Sequence, residues 1–348
     1  MAFLFVCISL VPLAGIDGDE VLPSGATLQK KFRRMRNRLY YYLKPYLPYG
    51  LKTTLRRKLA QHLRKRHTAD WPILPAAAQR PMSWKGWPDG RQFAFVLTHD
   101  VESQVGVEQV QRLAELEMAE GVRSSFNFVP EGDYQVPEKL REWLMERGFE
   151  VGVHDLHHDG HLYRSKTDFL HNAERINRHI QNWGAKGFRS AFMLHRLDWL
   201  SQLDIEYDAS TFDTDPFEPQ PDGARTIYPF VHQPKNHGRP FVELPYTLPQ
   251  DSTLFILFQE KTPATWNMKM DWIAQSGGMC LVNVHPDYIA FDKSHGSLDY
   301  QYPEDIYRSF LKHFKRQHAA KAWHPLPIQV ARHLQLGTPR ETGVKVNS

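Results

Sequence analysis

The sequence has very few cysteines and no long apolar run, and these two absences exclude several classes of protein. Only Cys7 and Cys280 occur among the 348 residues. They lie far apart without a Cys-x-x-Cys spacing, which excludes a disulfide framework and a cysteine-built zinc site. The apolar segment from Ala2 to Ile16 is shorter than a typical membrane span. It also lacks the positive region of a secretory signal, because the first basic residue is Lys30.

Acidic residues are absent between Val21 and Ala69, so the first part of the chain is strongly basic. Fourteen Lys and Arg lie between Lys30 and Arg66, whereas from Asp70 onward 29 basic residues face 36 acids. Such an arm suits an anionic membrane surface, an acidic polymer or nucleic acid, although a solvated helical face is the ordinary alternative. The mildly acidic body argues against nucleic acid. We expect a cytoplasmic protein or one peripheral on the inner membrane face, with export left open.

Short apolar runs alternate with amphipathic stretches along most of the chain. The strand candidates are Phe93 to Leu97, Ser125 to Val129, Glu150 to Val153, the run at Phe188, Phe241 to Leu244 and Met279 to Val284. The helix candidates are Val107 to Ala119, Pro137 to Arg147, Thr167 to Trp183, Pro263 to Gln275 and Pro303 to Gln317. This alternation predicts a parallel sheet with crossover helices, either a barrel or a doubly wound sheet.

Composition divides the chain into four predicted segments. An apolar start and a basic helical arm cover 1–73, and a linker with several prolines covers 74–90. The strand and helix alternation marks a catalytic domain over 91–324, followed by a C-terminal tail over 325–348.

Polar side chains follow several predicted strands, where a β/α barrel assembles its chemistry. Asp100 and Glu102 are separated by one residue, so that one carboxylate can bind metal while the other acts as a base. His154 and His158 are four apart, a spacing that brings both to one side of a helical turn and can hold one metal ion. His285 follows a buried strand and is suited to donate a proton at neutral pH.

Two histidines and one carboxylate around a divalent ion leave a position open for water, which is a hydrolytic arrangement. Each motif also has an ordinary explanation: a surface Asp-x-Glu, solvent-exposed histidines, or a histidine that closes a strand by bonding backbone. The order of the motifs along the chain is the more specific feature.

That order resembles the polysaccharide deacetylase family, also called the NodB-homology family or carbohydrate esterase family four. The resemblance covers about Arg91 to Tyr288 and implies an α/β fold, a distorted (β/α) barrel of the NodB-homology type preceded here by a basic helical arm. It implies the following roles: Asp100 as catalytic base, Arg189 as the residue that orients it, His285 as general acid, and Glu102, His154 and His158 as ligands of a divalent metal, with zinc expected. The stretch Tyr207 to Ser210, continuing to Asp213 and Asp215, resembles the motif that closes the pocket wall.

The sequence departs from the family pattern at two motifs. Val101 separates two acids that are adjacent in the commonest family motif, and Ser190 replaces a proline that often follows the arginine. The resemblance implies removal of an acyl group, by preference acetyl, from an amide nitrogen of an N-acetylated glycan or glycan precursor. The alternatives are a hydrolase of a non-sugar C–N bond and a catalytically inactive glycan-binding protein in polysaccharide assembly.

Overall fold

The computed structural model describes residues 49–235, 238–291 and 300–336. Residues 1–48, which hold the predicted apolar start and the first part of the basic arm with the run from Tyr40 to Tyr42, lie outside the described residues. The last twelve residues of the predicted tail also lie outside them. Within the described ranges, every helix is too short or too polar to cross a bilayer.

The described elements alternate between strand and helix over the predicted catalytic domain. The strands are β1 (Phe93–Val101), β2 (Ser125–Phe128), β3 (Glu150–His154), β4 (Gly187–Arg189), β5 (Tyr207–Asp208), β6 (Phe230–His232), β7 (Phe241–Glu243), β8 (Met279–Val284), β9 (Ile289–Ala290), β10 (Tyr302–Pro303) and β11 (Ala322–Trp323). The α-helices are α1 (Tyr49–Arg66), α2 (Gln104–Glu120), α3 (Glu138–Glu146), α4 (Lys166–Trp183), α5 (Leu197–Leu200), α6 (Ala264–Ser276), α7 (Glu304–Gln317) and α8 (Pro327–Leu336).

A parallel sheet forms the centre of the fold. Parallel pairing runs from β1 through β2, β3, β4 and β5 to β7, and β8 pairs with the other edge of β1. Every residue of β1 is buried, as expected for a strand covered on both faces. Beyond β7, the backbone N–H groups of Thr247 and Leu248 donate to the carbonyl of Leu281 in β8. The sheet therefore curls into the distorted (β/α) barrel that the sequence predicts.

Side-chain caps define the helix ends. The side chain of Ser103 accepts a hydrogen bond from the backbone N–H of Gly106, and α2 ends at Gly121, where φ is 78°. Helix α4 is capped in the same way by Ser165 and ends at Gly184, with φ 65°. Serine side chains satisfy the free N–H groups of a first turn, and glycine adopts the left-handed conformation at little cost. Apolar periodicity alone predicted the start of α2 at Val107, three residues late, because the first turn is marked by its Ser103 cap and not by an apolar stripe.

The segments on both sides of the barrel pack against it. In α1, Ala60 is buried, Arg57 donates to the carbonyl of Ile256, and Arg64 forms an ion pair with Glu260 at 2.8 Å. The described part of the arm is therefore more than a solvated face. Helix α8, within the predicted tail, also packs on the barrel, since its central residues 330 and 331 are fully buried.

Candidate active site

The polar residues that the sequence singled out meet at one end of the barrel. His154 and Arg189 are the last residues of β3 and β4, and His285 directly follows β8. The prediction that Asp100 lies beyond its strand is wrong, because β1 continues to Val101 and Asp100 is its penultimate residue. All four side chains are buried, with at most 3% of each residue exposed.

Glu102, His154 and His158 form a group with the composition of a metal site. One ligand atom from each lies within 4.8 Å of the others, and His158 Nε2 is 3.0 Å from Glu102 Oε1. The expected helical turn is wrong: His154 ends a strand, and the chain turns at Asp155, whose φ is 57°. This turn brings the two imidazole rings to a centroid separation of 5.0 Å.

The hydrogen bonds of His154 leave its second ring nitrogen facing this group. Its Nδ1–H donates to the carbonyl of Arg189 at 3.0 Å, so in the neutral ring the lone pair is on Nε2. Among the described residues, the Nε2 atoms of His154 and His158 are both buried without an aligned hydrogen-bond partner. Buried nitrogens in this condition suit a cation, and a backbone bond at Nδ1 is the usual support of a metal-binding histidine.

Glu102 carries the negative charge of the group. Burial alone would raise the pKa of Glu102, but the positive charges of His158 and His285 outweigh this effect and lower the pKa to about 2. Burial lowers the pKa of His158, and the nearby Glu102 carboxylate raises it above its usual value. Tyr288 donates its hydroxyl to Glu102 Oε2 at 2.8 Å and orients the carboxylate. A metal ion bound here would displace the proton that Glu102 favours on His158.

Asp100 is held by three donors. Asn127 Nδ2 donates to Oδ1 at 3.0 Å, Asn283 Nδ2 donates to Oδ2 at 2.7 Å, and Arg189 Nη1 lies 3.3 Å from Oδ1. Burial raises the pKa of Asp100, yet the charges of Arg189 and the neighbouring His154 hold it well below its usual range. The carboxylate is therefore ionised, and its orientation is fixed.

His285 is paired with a carboxylate that the sequence did not indicate. Its Nδ1–H donates to Asp251 Oδ1 at 2.6 Å, and its Nε2 lies 3.6 Å from Glu102 Oε1. Asp251 Oδ2 also accepts from the Tyr302 hydroxyl at 3.0 Å. Burial lowers the pKa of His285, but the charges of Asp251 and Glu102 raise it to about 10. The imidazole is therefore charged at neutral pH, with Nε2–H directed into the site.

A pocket of about 40 Å³ opens above these groups. Phe192, Met193, Phe217 and Leu257 contribute apolar walls, and Glu218 lies among them. Phe192 and Met193 have φ values of 56° and 52°, in the left-handed region. The Phe192 ring lies 4.6 Å from the His158 ring, centroid to centroid.

The acids of the predicted pocket-wall motif lie behind the wall. Asp208 bonds the Ser210 hydroxyl at 2.7 Å, and Asp213 forms a buried ion pair with Lys269 at 2.9 Å. Asp215 accepts from the Tyr246 hydroxyl at 3.0 Å. These acids support the wall, while residues 217 and 218 form its surface.

Sequence reasoning missed four residues that contact the predicted site. Asn283 is the one polar position in the apolar strand β8, and that contrast was an available signal, whereas Asn127 shares the short strand β2 with Ser125 and stands out less. Tyr288 lies three residues after His285, and no motif in the sequence assigns it a role. Asp251 has no local signal, because it approaches His285 across 34 residues of chain.

We compared the chain with known proteins to identify the fold that carries these residues. No protein-family model matches the chain, and no curated protein matches it. Among solved structures, a Mycobacterium smegmatis protein assigned as a polysaccharide deacetylase superposes with a TM-score of 0.53 at 17% identity, covering 74% of this chain and 95% of that one.

Two weaker similarities are to proteins of carbohydrate esterase family four. The family-four domain of a multidomain xylanase from the hindgut metagenome of Trinervitermes trinervoides gives a TM-score of 0.40 at 11% identity, over 70% of this chain and 91% of that one. A family-four pseudoenzyme from Bacillus anthracis gives 0.42 at 14% identity, over 71% and 67%. The stronger superposition, together with the parallel barrel, confirms the prediction that the chain has the polysaccharide deacetylase fold.

Proposed function

We propose that this protein is a metal-dependent hydrolase that removes an acetyl group from an amide nitrogen of a glycan or glycan precursor. The observation that carries the proposal is the convergence of Glu102, His154 and His158 beside Asp100 and His285. The buried Nε2 atom of His154, which has no hydrogen-bond partner, and that of His158, 3.0 Å from Glu102 Oε1, support a bound cation.

Two imidazoles and one carboxylate fit zinc, cobalt or nickel, and zinc is our choice. Glu102, His154 and His158 would hold the ion and leave coordination positions open. A divalent ion at such a site polarises the acyl carbonyl and lowers the pKa of a bound water toward neutrality.

Asp100 would take the proton of the attacking water. Its carboxylate is ionised because the Arg189 charge lowers its pKa, and its donors Asn127 and Asn283 fix its direction. Because Asp100 is already ionised at acidic pH, its titration should not change the activity between pH 5 and 7. Positioned general bases contribute on the order of 10²- to 10⁴-fold to rate.

His285 would donate a proton to the leaving nitrogen. An amine anion leaves very poorly, so C–N cleavage requires an acid on that side. Asp251 keeps the imidazole charged and fixes Nδ1, so that Nε2 carries the transferable proton.

The pocket favours a short acyl group. Its volume of about 40 Å³ compares with the ~10–15 Å³ that one water requires on the same measure. An acetyl group and a water fill such a space. The walls of residues 192, 193 and 217 would contact the methyl group.

Rates on an amide and on an activated ester test the assignment. We expect acetate release from N-acetylglucosamine oligomers by the zinc-loaded protein, and a loss of about 10²- to 10⁴-fold in Asp100→Asn. His285→Ala should lose a similar factor on the amide and much less on the ester, whose leaving group needs no proton. His157→Ala is the matched control, because His157 bonds the Glu131 carbonyl outside the trio.

The alternatives predict other results. A glycan-binding scaffold would purify without stoichiometric metal and release no acetate. A hydrolase of a non-sugar C–N bond would bind metal but act only on small cyclic amides. Equal losses on amide and ester for His285→Ala would remove it as the general acid.

The basic arm would hold the protein on an anionic membrane surface. The support is its 14 basic residues without an acid and its tyrosines and leucines, which suit partial insertion at a lipid interface. The protein would then act in the cytoplasm or at the inner membrane face.

A further inference from the structure

A second group of metal-ligating side chains lies on the outer helices. Asp271 belongs to α6, His313 belongs to α7, and His318 directly follows α7. Both histidines direct Nε2 at the same oxygen, Asp271 Oδ1, at 2.9 Å and 2.6 Å. One ligand atom from each residue lies within 4.8 Å of the others. The donor types, two imidazoles and one carboxylate, are those of the active-site trio.

This second group lies at the opposite end of the barrel from the active site. The His318 ring packs edge-on against Phe93, the first residue of β1, at a centroid distance of 5.5 Å. Asp100 is seven residues further along the same strand, roughly 23 Å away at ~3.3 Å per residue. Residues at the N-terminal end of barrel strands serve stability rather than chemistry.

The three side chains are reachable from solvent and are held in place. Their exposed fractions are 43% for Asp271, 19% for His313 and 13% for His318. The helices that carry them are locked together by Trp266 and Phe310, whose rings are 4.9 Å apart. An ion can therefore enter from solvent, and it would replace the two imidazole hydrogen bonds to Asp271.

A separate histidine cluster provides a contrast. Glu131 contacts His157 and His179 but also forms an ion pair with Arg175. An arginine remains charged and cannot ligate a cation, so it repels an incoming ion. Asp271, in contrast, has its ion pairs with the two histidines.

We propose that Asp271, His313 and His318 bind a second divalent ion of the zinc class. The ion would clamp α6 to the C-terminal end of α7 and stabilise the N-terminal side of the barrel. Two imidazole ligands make the site better suited to zinc, nickel or copper than to magnesium or calcium. This site is independent of the proposed catalytic function.

Zinc stoichiometry by elemental analysis, after chelation and reloading of the full chain, tests the proposal. The wild type should bind two zinc ions per chain, and the His154→Ala, His158→Ala variant should bind one. Adding His313→Ala and His318→Ala should remove the remaining ion. His179→Ala, in the Glu131 cluster, is the matched control and should keep the wild-type number.

Thermal unfolding gives a second measurement. Zinc should raise Tm of the His154→Ala, His158→Ala variant, because an ion that binds only the folded state stabilises it. Adding Asp271→Asn, which keeps the side-chain shape, should abolish the rise. A folded His154→Ala, His158→Ala variant that binds no zinc would show that Asp271 and its histidines are hydrogen-bonded partners only. That outcome would leave the catalytic proposal intact.

Discussion

The pairing of Asp251 with His285 makes a quantitative prediction about the pH dependence of catalysis. A hydrogen bond to a charged group contributes about 1.5–3 kcal/mol, and one pKa unit corresponds to about 1.4 kcal/mol. Asp251→Asn removes the charge 2.6 Å from His285 Nδ1, so the pKa of His285 should fall by about 1–2 units. Because the proposed general acid must be protonated, activity should be lost as pH rises through the pKa of His285. The alkaline limb of kcat/KM should therefore move down by about 1–2 pH units.

The assay is acetate release from an N-acetylated oligosaccharide between pH 6 and 10.5. Tyr302→Phe is the control, because it removes a neutral donor to Asp251 and leaves the carboxylate charge in place. Its limb should move by less than half as much. An activated ester should show no such limb in any variant. A folded Asp251→Asn protein with an unmoved alkaline limb would refute the assignment of that limb to His285.

Three further predictions concern stability and location. Lys269→Met strands the buried carboxylate of Asp213 and should lower the free energy of unfolding by about 3–5 kcal/mol in urea titrations; a loss below 1 kcal/mol would contradict a charged pair. Burial raises the pKa of Glu150 to about 7, above its unfolded value, so its contribution to stability is present in acid and lost as pH rises through 7. With an ordinary pKa of 4.5 and a folded pKa of about 7, Glu150→Gln should gain about 2–3 kcal/mol relative to wild type between pH 5 and 8, and a constant difference would count against this pKa. Deletion of residues 1–48 should release the protein from vesicles of anionic lipid while α1 stays packed; binding insensitive to salt and to the deletion would exclude the arm.

The residues predicted for the site come together because a repeated local rule locates them. Each of His154, Arg189 and His285 closes or follows an apolar strand, and parallel strands bring their carboxyl ends to one face. Sequence could therefore indicate which side chains share a pocket without fixing any distance. The His-x-x-x-His spacing predicts a helical turn, and that prediction is wrong. Two residues four apart can also come together across a tight turn that follows a strand.

Contacts that depend on distant parts of the chain could not be predicted. Asp251 reaches His285 only because the segment after β7 turns back along β8. Asn127 and Asn283 reach Asp100 through strand register, since β2 and β8 flank β1 on opposite edges. A period-two pattern assigns such positions to a buried face but does not identify a hydrogen-bonded partner.

The left-handed backbone at Phe192 and Met193 restricts how this pocket can change by mutation. A β-branched residue at such a φ is a conformational outlier, whereas glycine and asparagine tolerate it. Valine, isoleucine or threonine at either position would strain the backbone beside His158 as well as alter the wall. A library designed to enlarge the acyl pocket should therefore vary Phe217 and Leu257 freely but restrict positions 192 and 193 to unbranched side chains, asparagine and glycine. If the proposed function holds, substrate range in this barrel can evolve more readily from the side of residues 217 and 257 than from the loop that follows β4.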